Sequence, residues 1–377
     1  MPKNIVLCFD GTSNHPRDAK QEREWFGTGD IKDNGITNIL KMHAMLGGNL
    51  ANKPSNIPSF KNQQSFYYSG VGTYGSRVQR MFNAGFSSSN LDIATIMHLA
   101  SADLQKTYEE GDQIIITGFS RGAAIARKFA SRLPRFLPAI KGDGQSEAKD
   151  VIALLAVFDT VASIGIPNLD DDDKPKSDVV FEDHTISPHV REAVHLVSLD
   201  DRRSAFHPTL MNQEDRVTEV WFPGAHSDVG GGFWRDGLSD IALTFMINQI
   251  KSRTKLKFLA PDKVDFDNLK HEEYHIDFED LDIKPNVESE SHEQDRWGPI
   301  ALFTLTPRMP RVNIDDNQSD LPINIHKSVF DRMKKVTDYR PKSLKGVKHK
   351  IVDDKGGHVN KAGKKAETVY HGLFKHV

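Results

Sequence analysis

The chain is 377 residues long, with 38% hydrophobic residues and a formal net charge of −3 from 49 Lys and Arg against 52 Asp and Glu. That length suits one large α/β domain with insertions, or two domains, and the near-neutral balance argues against a protein whose task is wrapping nucleic acid. The single cysteine, Cys8, excludes a disulfide framework and a zinc site built on several thiolates.

Met1-Pro2-Lys3-Asn4 leads straight into the apolar run 5–9, which stops at the turn Asp10-Gly11-Thr12. A strand this close to Met1 leads to the expectation of no leader, and no apolar run approaches the roughly 20 residues of a membrane helix. The expected location is therefore the cytoplasm, unless a secretion system carries the chain out. Residues 65–68 predict a second strand before the glycine-rich stretch 70–75. Ile93, Met97, Ala100, Leu104 and Tyr108 then fall on one helical face, with Asn90 as N-cap and Gly111 as stop. Ile114-Ile115-Ile116 reads as a strand buried on both faces, and 123–133 as a helix ending before Pro134. Runs 151–158 and 217–222 predict further strands, and Ser239 caps a helix carrying Leu243, Met246, Ile247 and Ile250. Strand and helix in alternation predict an α/β fold, a mostly parallel sheet covered by helices, with its site beyond the carboxyl ends of the strands.

The expected organisation is a catalytic core over 1–255, with insertions near 15–60 and 168–215, an acidic subdomain over 256–340 packing on it, and a basic tail over 341–377. Residues 331–377 hold 13 Lys and Arg against 5 Asp and Glu. Solvation explains such a tail; attraction to anionic lipid headgroups or an acidic partner is the sharper reading.

The most specific motif is Gly118-Phe119-Ser120-Arg121-Gly122, a Gly-x-Ser-x-Gly between a buried strand and a small-residue helix. A turn this tight needs glycine on both sides of the serine. It holds Ser120 proud of the sheet at a helix N-terminus and aims the Arg121 N–H at a developing oxyanion. A serine nucleophile needs a base and an orienting acid. Asp159 ends a buried run 39 residues later, and His226 follows another strand in a loop with four glycines in nine residues, from Gly224 to Gly232. The order Ser, Asp, His is that of an α/β hydrolase. His326, near the end of the chain, is a second candidate for the base.

Asp10 after the first strand permits two readings. It is an ordinary Asp-Gly turn, or it steadies a loop whose Gly11 or Thr12 N–H supplies a second oxyanion donor. Phosphotransfer through an Asp-Gly-Thr motif needs an acid two residues earlier, where Cys8 stands. Gly70-Val71-Gly72-Thr73-Tyr74-Gly75 matches a dinucleotide fingerprint but opens no clear helix. His184, His189 and His195 lack metal-ligand spacing. Carboxylates at Asp10, Asp159 or Asp228 can hold Mg²⁺ or Ca²⁺, but no spacing requires a metal, and no cofactor is expected.

Seven segments together resemble one family: Phe9-Asp10-Gly11-Thr12, Gly70-Val71-Gly72-Thr73, Gly118-Phe119-Ser120-Arg121-Gly122-Ala123, Phe158-Asp159-Thr160-Val161, Leu199-Asp200-Asp201-Arg202-Arg203, Phe222-Pro223-Gly224-Ala225-His226-Ser227-Asp228-Val229-Gly230-Gly231-Gly232 and Leu238-Ser239-Asp240-Ile241-Ala242-Leu243. In this order, across roughly residues 3–250, the chain resembles the α/β-hydrolase family of type VI secretion phospholipase effectors, the Tle1-like catalytic domain. The resemblance implies a Ser120, Asp159, His226 triad and hydrolysis of phospholipid or other acyl esters. Gly11, Arg121 and Asp10 would lie around the oxyanion and substrate. Transient contact with a membrane surface is the further expectation, and the charge balance leaves no nucleic-acid partner expected. Two alternatives stay open. One is a binding or regulatory module on a hydrolase scaffold; the other is a metal-dependent phosphate-ester enzyme built on the Asp10 and Gly70 loops.

Overall fold

The computed structural model describes residues 2–11, 35–70, 89–137, 150–162, 186–270, 276–292, 305–315 and 317–359. Among them, strands β1 (Asn4–Phe9), β2 (Gln63–Tyr68), β3 (Gln113–Phe119), β4 (Ile152–Phe158), β5 (Ala193–Ser198) and β6 (Val217–Phe222) belong to one sheet. A short hairpin of β7 (Val312–Ile314) and β8 (Asn317–Ser319) stands apart, and β9 (Ile323–His326) and β10 (His349–Val352) complete the sheet. Its order is 10-9-6-5-4-3-1-2, and every pairing is parallel.

Parallel strands covered on both sides need apolar side chains on both faces. In β1, Val6 and Cys8 join the core of α1 (Asn38–Met45) and of the long helix Gly237–Arg253, while Ile5, Leu7 and Phe9 join the opposite core. That second core is closed by α2 (Ser89–Thr107) and α3 (Ser120–Phe136). The remaining helices are α4 (His226–Gly230), α5 (Gly237–Arg253) and α6 (Ser328–Lys335). The chain leaves β1 outward to β2 and returns on the other side to β3. The β1–β3 gap is thus the point where the winding reverses, the place, beyond the carboxyl ends of the strands, at which sheets of this kind bind their ligands. Phe9-Asp10 and Phe119-Ser120 stand at those ends. This is the mostly parallel sheet that the alternation of segments predicts, in the α/β-hydrolase-like form that the resemblance implies.

The structure differs from the sequence reading at several boundaries. β5 falls inside the stretch read as the insertion 168–215, yet it lies between β4 and β6 at the centre of the sheet. β9 comes from the acidic stretch and β10 from the basic one, so both extend the core sheet. α3 runs past Pro134 to Phe136. Proline cannot bond the carbonyl four residues back, and the Ala130 carbonyl accepts the Ser187 hydroxyl at 3.4 Å instead. The helix assigned to a Ser239 cap begins at Gly237. The Ser239 hydroxyl donates to the Asp236 carbonyl at 3.0 Å, and the Asp236 carboxylate pairs with the buried Lys41, which also bonds Asp240 at 2.9 Å. Thr12, Thr73 and His184 lie outside the described residues.

Candidate active site

β3 passes into α3 at Ser120, whose φ of +57° is a left-handed conformation that non-glycine residues rarely adopt. The flanking glycines explain how this bend is accommodated. A Cβ on Gly118 would stand 2.7 Å from the Gly122 carbonyl oxygen, and one on Gly122 would stand 2.3 Å from the carbonyl oxygens of both Phe9 and Asp10. The bend is therefore wedged against the end of β1. Ser120 is 6% exposed, and its carbonyl accepts the Val161 N–H at 3.2 Å, which ties the bend to the loop after β4.

Asp159 sits in that loop, fully buried at φ +38°, and its N–H continues the sheet by bonding the Leu196 carbonyl at 2.7 Å. The next residue is also anchored. The Thr160 N–H donates to His195 Nε2 at 3.0 Å, so Nδ1 carries the proton and meets Glu219 at 2.8 Å. His195 thus steadies the loop that presents Asp159.

His226 is the first residue of α4 and is 4% exposed. Its Nδ1 bonds Asp159 Oδ2 at 2.5 Å, and its Nε2 is buried with no hydrogen-bond partner among the described residues. An ionised carboxylate only accepts, so the Nδ1 proton is fixed and Nε2 is the basic nitrogen. The ring lies between Phe119, at 4.6 Å centroid to centroid, and the edge of Phe206, at 5.0 Å. Phe119 directly precedes Ser120. The structure therefore brings His226 and Asp159 together against the bend that carries Ser120.

The loop holding His226 is fixed by two aspartates from the Leu199-Asp200-Asp201-Arg202-Arg203 segment. Asp200 accepts the Gly224 N–H at 2.7 Å and the Tyr339 hydroxyl at 2.6 Å. Asp201 accepts the His226 N–H at 3.1 Å and a forked contact from Arg203, whose guanidinium lies 3.5 Å over the Phe206 ring. Gly224 has φ +100°, and a Cβ there would meet Asp228 at 2.4 Å. Asp228 in turn accepts from Ala225 N–H at 2.8 Å and from the His292 N–H at 3.0 Å, and its other oxygen pairs with His292 Nδ1 at 2.6 Å.

Asp10 is buried beneath the bend. It accepts from Tyr67 at 2.6 Å, Thr37 at 2.7 Å and the Gly11 N–H at 2.6 Å. Burial pushes its carboxyl up to about 6 against the pull of these donors. The Gly11 N–H expected at the oxyanion is thus turned to Asp10; a carboxylate one residue away captures it first. Asp10, Asp159 and Asp228 are each surrounded by protein donors, and no group of three or more His, Cys, Asp or Glu among the described residues is arranged to hold a metal. His326 lies elsewhere. Its ring stacks on Phe222 at 4.5 Å, its Nδ1 meets the Ser328 hydroxyl at 2.8 Å and its Nε2 lies 3.3 Å from Asp354. Cys8 is buried, and burial lifts its thiol to about 12.

The sequence reading missed Arg308. Fully buried, it grips Asp159 with both terminal nitrogens, at 2.5 Å to Oδ1 and 2.8 Å to Oδ2. Burial alone would raise the Asp159 carboxyl, but the Arg308 charge and the bonds from His226 and Arg308 outweigh it and hold the group well below the usual carboxylate range. Its flanks, Pro307 and Met309-Pro310, carry no periodic signal, and the partner is 149 residues away.

A doubly wound parallel sheet, with a sharp strand-to-helix bend at its winding reversal and an Asp159–His226 pair packed against Phe119, is the arrangement of the α/β-hydrolase fold class. The family model of the type VI secretion phospholipase effector Tle1-like catalytic domain matches residues 3–136 and 138–249, more than half of the chain, and the chain belongs to that family. An uncharacterised Saccharomyces cerevisiae protein, YEL023C, is 30% identical over 255 residues, an alignment covering 54% of this chain and 32% of the yeast protein. The chain thus spans about a third of that relative's length. A crystal structure of an uncharacterised Pseudomonas aeruginosa protein is similar over 76% of this chain and 49% of the other, with 19% identity and a TM-score of 0.45. The structure of the Tle1 effector bound to the VgrG spike of the type 6 secretion system is similar over 62% of this chain and 51% of the other, with 22% identity and a TM-score of 0.37. No helix among the described residues is long and apolar enough to cross a membrane.

Proposed function

We propose that the chain is a serine hydrolase that cleaves acyl esters of phospholipids, in the manner of a phospholipase A. The observation that carries this reading is the state of His226: Nδ1 is held by a buried acid, and Nε2 is left as an unpartnered base beside the Phe119–Ser120 bend. In this mechanism the Ser120 hydroxyl attacks the acyl carbonyl while Nε2 takes its proton, and the proton then passes to the leaving alcohol. Asp159 fixes the tautomer and balances the imidazolium. The Arg121 N–H, in the first turn of α3, faces the oxyanion at the positive end of the helix dipole. Water then repeats the sequence on the acyl-enzyme and regenerates Ser120. Asp10 and Gly11 frame the bend, since the Gly11 N–H is turned to Asp10.

Family membership supports phospholipid as the substrate and delivery by a secretion system as the route to it. The test is product analysis by mass spectrometry after incubation with mixed phospholipids. Wild type should release lysophospholipid and free fatty acid, and Ser120→Ala should release neither. Equal products from a folded Ser120→Ala protein would contradict the proposal.

A further inference from the structure

Arg308 does more than neutralise a buried acid. Its two terminal nitrogens hold both Asp159 oxygens, and they also donate to the Ser198 carbonyl at 2.7 Å and the Phe206 carbonyl at 2.6 Å. Asp159 Oδ1 also accepts the Ser198 N–H at 2.9 Å, and the Phe206 ring packs edge-on against the imidazole. One side chain thus links the acid of the pair, the end of β5 and a wall of the histidine's pocket. We infer that Arg308 is a positioning residue, whose guanidinium locks the Asp159 carboxylate in the orientation that faces His226 and whose charge makes the Asp159–His226 pair resist taking up a proton. This rests on the reading of Ser120, His226 and Asp159 given above.

The physical reasoning starts from the charges around the pair. With Arg308 in place, the ionised Asp159 is matched by a cation in bidentate contact, so a proton arriving at the pair creates net positive charge in a dry pocket. Without Arg308 the same proton neutralises a lone buried carboxylate and is taken up more readily. The other charged and titratable groups here are Asp201 and its partner Arg203, Asp200, which holds the Gly224 N–H, and His207, which feels Arg308, Arg311 and Asp201. β3 and the start of α3 contribute Phe119, Ser120 and the charged Arg121. Arg203 is committed to Asp201, and Arg308 is the cation in bidentate contact with Asp159. A bonded cation of the right charge but the wrong shape, a lysine, would keep the charge and lose the two-point grip.

The test is kcat/KM and kcat against pH with p-nitrophenyl butyrate, for wild type, Arg308→Met and Arg308→Lys, with Ser120→Ala as control. Arg308→Met should move the acid limb of kcat/KM upward by about one pH unit or more and lower kcat by at least about tenfold. Arg308→Lys should keep the acid limb at its wild-type position while kcat falls at unchanged KM. An unmoved limb in Arg308→Met, or wild-type kcat in Arg308→Lys, would overturn the inference. If Arg308→Met does not fold, Arg308→Lys decides alone through its kcat. An inactive Ser120→Ala with unaffected Arg308 variants sinks only the role of Arg308, whereas an active Ser120→Ala sinks the serine mechanism beneath it.

Discussion

The rings of Phe119 and His226 face each other at 4.6 Å, tilted by 33°, so the residue that leads into Ser120 also forms one wall of the imidazole's pocket. Gly230, one turn after His226 on α4, abuts the same wall: a Cβ there would come within 2.0 Å of the Phe119 ring. Gly230→Ala should displace the ring from its place against His226, with a stability loss of about 1–3 kcal/mol from overpacking. Ester hydrolysis per folded molecule should fall by at least about tenfold, as expected when reacting groups are misplaced by a fraction of an ångström. Denaturant melts and active-site-normalised kinetics check the two effects separately.

The two candidate histidines separate cleanly by substitution. His326→Phe keeps a ring to stack on Phe222 while removing both nitrogens, and should leave ester hydrolysis within a few-fold of wild type. His226→Phe should lower kcat by about 10³-fold or more, the scale seen when a serine hydrolase loses its base. Steady-state kinetics on the two folded variants decide between them.

Asp159 links the site to stability. Asp159→Asn leaves Arg308 buried without its counter-charge, and should cost about 3–5 kcal/mol. The folded-state carboxyl is held below its ordinary value, so its contribution is fully present above the ordinary carboxylate range and is lost as pH falls toward the folded value. The gap between wild type and Asp159→Asn should therefore be flat above about pH 4 and close below it. Urea melts across pH 2.5–8 read this directly.

Ser120 holds a left-handed backbone at φ +57° in a place where any side chain is strained. Ser120→Gly should be more stable than Ser120→Ala by about 1 kcal/mol, although both lack the hydroxyl. Thermal melts of the paired variants measure the strain stored at the bend.

Much of this arrangement was legible in the residues. β4 is an unbroken apolar run, and β1 and β3 carry the runs 5–9 and 114–116, because both faces are covered; the elbow declares itself through glycines whose missing side chains make room for the end of β1 and the start of α3. β5 was illegible because His195 interrupts its apolar run and charged residues flank it, while β9 and β10 are four residues each and carry Asn, His and Lys. That the Gly11 N–H bonds its own neighbour Asp10 was not legible, because nothing local says that Asp10 turns back on its own loop. Arg308 left no trace at all, since its meaning lies in a contact made across the fold.

The most direct test is fluorophosphonate labelling followed by peptide mass spectrometry. A single adduct on Ser120 is expected in wild type, strongly slowed in His226→Phe and unaffected in His326→Phe. No adduct on Ser120 in folded, soluble protein, or labelling that is indifferent to His226, would contradict the account.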